Sequence, residues 1–290
     1  MLNKKLLDDL TKEVKEKGRL IDFYLLENLF ECRQLQLMEE LQKYQNVDGG
    51  FGHALEPDVR LPDSSVVATD MAINILNEID DEPLKAETIS KMISYYESVY
   101  IDSKNGWELV PPAVNNYPRA VWWNYDGVEN FTYGNPNPEI VGFLYKYKQY
   151  LKKLDIAIQV NKVTEYIKNT FQAEASMHSL LSCLKFYTYM PEEIKSEIHD
   201  TLQLVVDKEL ANDNWEEYSL EPYKILLIAP IFLKKHELIL ERNLEYCKDK
   251  LNKGIIIPNW SWYQYDDVFE ETKHEWAGFI TYEILKSLLK

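Results

Sequence analysis

Apolar residues recur at three- and four-residue spacing along nearly the whole chain, and no segment sustains the period-two alternation of a strand. The pattern predicts twelve helices, over 2–17, 20–30, 33–46, 64–79, 84–100, 137–152, 156–171, 175–189, 191–209, 218–232, 237–252 and 274–289. Several carry start signals. Asp63-Ser64-Ser65 offers a cap to the fourth. Asn135-Pro136-Asn137-Pro138-Glu139 opens the sixth, with proline suited to a first turn. Pro191-Glu192-Glu193 opens the ninth, with acids where the helix dipole favours them.

The helices fall into two kinds. The fourth, with Val66, Val67, Ala68, Met71, Ala72, Ile73, Ile75 and Leu76, is apolar nearly all round, and so is the run Ile225 to Leu233 in the tenth. Such helices are buried on more than one side. The fifth and ninth carry one apolar stripe and a charged face. Buried and striped helices alternate, which places 20–30, 64–79, 137–152, 175–189, 218–232 and 274–289 in an inner ring. The outer ring takes 33–46, 84–100, 156–171, 191–209 and 237–252, with 2–17 closing it. The expectation is an all-α protein, an (α/α)6 toroid of six helical hairpins in one domain spanning 1–290. An open stack of hairpins is the competing arrangement. It needs a polar last helix, whereas Trp276-Ala277-Gly278-Phe279-Ile280 reads as interior.

The turn Gln45-Asn46-Val47-Asp48-Gly49-Gly50-Phe51 follows the third helix. It returns in weaker form as Asn105-Gly106-Trp107, Asn214-Trp215 and Asn259-Trp260. A helix ending in a turn with one buried aromatic, repeated along a chain, marks a helical-hairpin repeat. Trp107, Trp215 and Trp260 are read as plugs between hairpins, and Gly49 and Gly50 as positions needing positive φ.

Composition narrows the function classes. The chain has 290 residues, 46% hydrophobic and 28% charged, which is ordinary for a globular protein. Its net charge of −16 argues against nucleic acid and against an anionic membrane surface. The longest apolar run is broken by Pro230 and too short to span a bilayer. Cys32, Cys183 and Cys247 form no CxxC, and the charged N-terminus lacks a signal-peptide apolar region, so a cytoplasmic protein is expected.

Gln45-x3-Gly49-x-Phe51 resembles the core of the QW repeat of squalene and terpenoid cyclases and of protein prenyltransferase β-subunits. The stretch Asp48 to Asp58, the Asn135–Pro138 turn and Glu275-Trp276-x-Gly278-x-x-Thr281 resemble an uncharacterised bacterial prenyltransferase-like family. The resemblance spans nearly the whole chain and implies an α/α toroid, with isoprenoid chemistry as one expectation. The DxDD motif of class II cyclases is missing; Glu78-Ile79-Asp80-Asp81 is the nearest string, at the wrong end of an inner helix. Asp266-Asp267-Val268-Phe269-Glu270 matches the magnesium-holding string of class I enzymes, and magnesium enters as a cofactor only there; no other is identifiable. Zinc, as protein prenyltransferases use it, would have only His178 and Cys183, which read better as a buried thiol beside a satisfied imidazole.

In a ring of hairpins all inner helices run the same way, so their N-termini gather on one face with the long loops 47–63, 101–136 and 253–273. Exposed N–H groups there favour an anionic group of a small-molecule ligand. These segments hold carboxylates fit for acid/base work, Glu56, Asp58, Glu139 and Glu275, and candidate ligand contacts at His53, Trp122, Trp123, Asn135, Asn137, Trp262 and Trp276. For Glu56, Asp58, Asn137 and Glu275 the alternative is loop-holding hydrogen bonds and caps. His53-x2-Glu56-x-Asp58 is also spaced to ligate a metal. Three functions stay open: an isoprenoid-type enzyme, a carbohydrate-active or sugar-binding protein, and a non-catalytic binder of a peptide or metabolite. Oligomeric state is not readable.

Overall fold

The computed structural model describes residues 3–127 and 132–290. Residue 2 of the first predicted helix and residues 128–131 of the second long loop lie outside that description. Among the described residues the protein is all-α, with isolated bridges but no strand. The helices are α1 Lys4–Lys17, α2 Leu20–Asn28, α3 Gln34–Gln42, α4 Val66–Leu76, α5 Glu82–Ser98, α6 Asn137–Lys146 and α7 Ile156–Asn169. They continue with α8 Phe171–Glu174, α9 Met177–Tyr189, α10 Glu192–Glu209, α11 Pro222–Ile228, α12 Glu237–Leu251 and α13 Asp266–Leu289. No described helix is long and apolar enough to cross a membrane.

All twelve expected helices are present, and α8 is an extra turn. Side-chain caps set several starts. Ser65 accepts from the Ala68 N–H, Asp81 from Leu84, and Ser176 pairs with Ser179 in a reciprocal capping box. Proline sets the main differences. Pro222 begins α11 and Pro230 ends it, because neither can donate the N–H that an interior position needs; the chain continues as a 3₁₀ turn, Pro230–Leu233. The last helix starts at Asp266, not 274, so the Asp266-Asp267 pair occupies its acidic first turn.

Consecutive helices pack as pairs: α2 with α3, α4 with α5, α6 with α7, α9 with α10, and α11 with α12. Along the expected inner series α6 packs on α9, α9 on α11, α11 on α13, and α13 on α2. Helix α13 also packs on α1, which brings the two ends of the chain together. Gly142 permits the close approach of α6 to α9, since a Cβ there would lie 2.7 Å from the Tyr189 ring and 3.1 Å from the Phe186 Cα. Helix α4 packs on α3 and α5 and shares the main apolar cluster, and polar side chains in it and just after it reach α9 and α13. Asn74 accepts from Lys185 Nζ at 2.8 Å, Asn77 bonds the Tyr189 hydroxyl at 3.0 Å, and Glu78 pairs with Lys286. Because α1 and α2 lean on α13, a fragment ending near residue 150 is expected to lack a cooperative melt; a fragment with one by circular dichroism would contradict this.

The repeated turn works as a plug at most copies. Gln45 donates to the carbonyls of Gly49 and Thr88, tying the turn to α5, and Phe51 is fully buried behind it. These bonds also explain why α3 stops at Gln42. Trp107 is buried and donates its indole N–H to the Tyr96 carbonyl at 2.8 Å, and Trp215 is buried as well. Trp260 departs from this role: it is half-buried and meets Tyr218 and Trp276 edge-on, each at 5.5 Å.

Candidate functional site

The loop between α3 and α4 turns back through His53 and Ala54, both at positive φ, and carries residues 55–60 inward. Arg19, just before α2, anchors it. Its guanidinium donates to the carbonyls of Ala54 and Leu55 and forms a bidentate pair with Asp22 at 2.9 Å. Gly278 of α13 lies against that pair, where a Cβ would come within 2.8 Å of the Asp22 Cβ. With the loop pinned this way, Glu56 and Asp58 are both buried.

Asp58 is the centre of the arrangement. Its Oδ1 accepts indole N–H bonds from Trp262 at 2.6 Å and Trp276 at 2.8 Å. Two residues on, Arg60 pairs with Glu275 at 2.7 Å. Tyr218 and Trp260 extend the same wall, and the Tyr218 hydroxyl meets His178 Nε2 at 3.0 Å. Tyr218 is 52% exposed, yet burial pushes its hydroxyl up to about 12. His178 is exposed too, yet burial holds it down at about 4, with Lys224 repelling its proton.

The acids titrate accordingly. Burial pushes Asp58 up to about 6, against the lowering pull of the indole N–H donors. Burial raises Glu56 well above the usual carboxylate range, and the Asp58 charge adds to this while Arg19 opposes it. Below them, Asp70 is raised by burial and by Glu139, and its Oδ1 is buried with no hydrogen-bond partner. Glu139 is raised by burial although both its oxygens bond Lys185 Nζ, at 2.7 and 2.8 Å. Glu283 on α13 is raised by burial against the pull of Lys224 and Lys185. Carboxyls on four elements thus sit in one weakly solvated electrostatic system.

Of the residues expected from the sequence, Glu56, Asp58, Glu275 and Trp276 lie together, and Glu139 lies deeper, facing Lys185. Trp262 is fully buried, so it clamps Asp58 instead of meeting a ligand. His53 points outward to Asn46 Oδ1 at 2.9 Å because of its left-handed backbone, and it stands apart from Glu56 and Asp58. Asn137 is fully buried; it accepts the Trp107 N–H and donates to the carbonyls of Thr132 and Tyr133, holding the loop before α6. Asn135 is half-buried and bonds Thr132. Trp123 packs against the Ala120–Trp262–Phe269 cluster and the Val59–Leu61–Val110–Val114 cluster, with its indole nitrogen buried. Trp122 stands exposed on the rim. Glu275 and Trp276 occupy the third turn of α13, not its start.

Among the described residues no group of three His, Cys, Asp or Glu is arranged to hold a metal. Asp266 and Asp267 are exposed, and Glu270 pairs with Lys273. Cys183 is buried, while His178 faces Tyr218. Two surface hollows of about 400 and 500 Å3 lie against α12 and α7 and contain none of these acids or indoles.

Sequence reasoning missed Arg19, Asp22, Asp70, Lys185, Lys224 and Glu283. Each is a polar residue within or beside an apolar helical stretch, and that interruption was the available signal. No protein-family model, no curated protein and no solved structure matches the chain.

Proposed function

We propose that the chain closes as a six-hairpin α/α toroid whose mouth binds a hydroxyl-rich, carbohydrate-type small molecule and performs acid/base chemistry on it. One observation carries this reading: Glu56, Asp58, Glu139 and Glu283 form one weakly solvated set with polar partners such as Lys185, and Trp276, Trp260 and Tyr218 adjoin Asp58. Sugars are recognised by such a mixture, hydroxyls meeting carboxylates and ring faces meeting indoles. A prenyl chain needs apolar walls, and Asp70, Asn74, Glu139 and Lys185 make the floor hydrophilic.

Within this reading Glu56 is the proton donor. Burial and the neighbouring Asp58 charge raise its carboxyl well above the usual range, the direction a general acid requires. Asp58, with one oxygen fixed by two indoles, is ionised at neutral pH and serves as the base. Arg60 holds Glu275 beside them.

The test is a thermal-shift screen of neutral oligosaccharides and glycosides against prenyl diphosphates. The expected result is a raised melting temperature with a sugar. A shift with geranyl or farnesyl diphosphate alone would overturn the proposal. For a glycoside that is turned over, Glu56→Gln is expected to lower kcat by about 10²- to 10⁴-fold and leave binding in place.

A further inference from the structure

Two loops meet on the rim directly above the Asp58 clamp. Ala120 N–H donates to the Asp58 carbonyl and Val121 N–H to the Trp262 carbonyl, each at 3.0 Å. Trp122 follows Val121 in the chain, and Tyr263 follows Trp262. Trp122 is 42% exposed, Tyr263 74% and Tyr265 44%. The Trp122 and Tyr263 rings meet edge-on at 6.5 Å, and the Arg119 guanidinium lies 5.9 Å from the Tyr265 ring.

Their backbone is unusual. Tyr263 has φ +58° and Tyr265 φ +53°, a left-handed region that bulky side chains rarely adopt. Asn or Gly would hold the same turn without strain, and neither tyrosine gains burial in return. Strain kept at exposed aromatic positions beside the Asp58 clamp points to a role outside folding.

We propose that Trp122, Tyr263 and Tyr265 form an aromatic platform that stacks the sugar rings of an oligosaccharide as it leaves the mouth, so that the ligand is a chain of several units, not a single sugar. This rests on the carbohydrate reading of the pocket. Continuity supports it: Tyr263 directly follows Trp262 of the Asp58 clamp, and Trp122 directly follows Val121, whose N–H bonds the Trp262 carbonyl. Rigid Trp and Tyr faces give large contact area at low entropic cost, and C–H faces of pyranose rings complement them.

The test is isothermal titration of the full chain with maltohexaose, cellohexaose and N-acetylchitohexaose, and with glucose and N-acetylglucosamine. The comparison uses wild type and the double variant Trp122→Ala, Tyr263→Asn. Asn accepts positive φ, so the variant is expected to melt no lower than wild type; Tyr265→Asn gives a second, independent removal of one ring. The expected result is a hexamer bound at least about tenfold tighter than its monomer, with that gap erased in the double variant and the monomer Kd unchanged. Equal affinity for both lengths, or a hexamer Kd unmoved by the double variant, overturns the platform and leaves the pocket standing. No binding of any sugar at either length overturns the pocket reading and the platform with it. A concentration-dependent dimer that Trp122→Ala dissociates would show instead that the platform joins two copies of the chain, and would also overturn the proposal.

Discussion

Asp58→Asn is expected to raise the melting temperature at pH 8, although it alters the residue that two indole N–H groups hold. The folded protein lifts this carboxyl from 3.8 to about 6. The folded state therefore holds the proton more tightly than the unfolded chain does. The stabilisation this gives is fully present below pH ~4 and is lost as pH rises through ~6. Above that, the wild type carries a buried charge that favours unfolding by about 3 kcal/mol. Asparagine keeps an amide oxygen for the Trp262 and Trp276 N–H donors and carries no charge. The variant should match wild type near pH 4 and exceed it by about 3 kcal/mol at pH 8, a melting shift on the order of 5 °C. If the proposed acid/base chemistry on a sugar is found, the variant should lack it. Denaturant titrations at both pH values check this; a variant less stable than wild type at pH 8, or one with no pH-dependent gap, would refute the placement of Asp58. A site residue whose removal stabilises the fold is the stability–function trade-off expected where charges are held dry for chemistry.

Gly49→Ala is expected to be among the most damaging small changes in the chain. Gly49 has φ +92°, and a Cβ there would sit 2.2 Å from the Lys91 carbonyl oxygen and 2.6 Å from its carbon. Lys91 is in α5, so relief requires that helix to move off the turn. Backbone strain and overpacking together cost about 3 kcal/mol or more, a melting loss on the order of 5 °C or more. Gly127→Ala is the control. It also has positive φ, at +82°, but its Cβ would meet only a Tyr125 ring atom at 3.7 Å. That change should cost about 1 kcal/mol. Equal losses in both variants would mean that conformation alone, and not the packing of the turn on α5, is what Gly49 supplies. Gly50 corrects the sequence reading in a related way. It lacks positive φ and is required for space, since its Cβ would approach the Ser64 Cβ at 2.6 Å and the Tyr95 ring at 2.8 Å.

The helices were legible because their signals are local. Apolar spacing, Ser65 as a cap, and Pro222 and Pro230 as boundaries act within a turn or two of chain. The start of α13 was misjudged because Trp260, Trp262, Tyr263 and Tyr265 made the preceding segment read as loop through to 273. Phe51, Trp107 and Trp215 were recognisable as plugs from their repeat positions. Trp260 has the same local sequence and a different role, which depends on Tyr218 and Trp276 beside it.

The candidate site was legible in composition but not in membership. The loop acids Glu56 and Asp58 announced themselves, yet the residue type at His53 gave no sign that its backbone takes positive φ and its ring bonds Asn46. Asp70, Lys185 and Glu283 lie in helices and looked like isolated polar interruptions until the helices packed.

By itself the sequence determined the all-helical fold, the order of its elements, the repeated plug-bearing turn and the gathering of acids and indoles in the loops. Periodicity, capping and turn chemistry are short-range, so one dimension carries them. Tertiary structure alone decided which acids share dry space and which indole clamps them. Trp262 and Trp276 reach Asp58 across 204 and 218 residues, and Arg60 reaches Glu275 across 215. A carboxyl's charge state is set by the solvent it loses and the donors and charges that replace it, and those neighbours become neighbours only when distant helices pack.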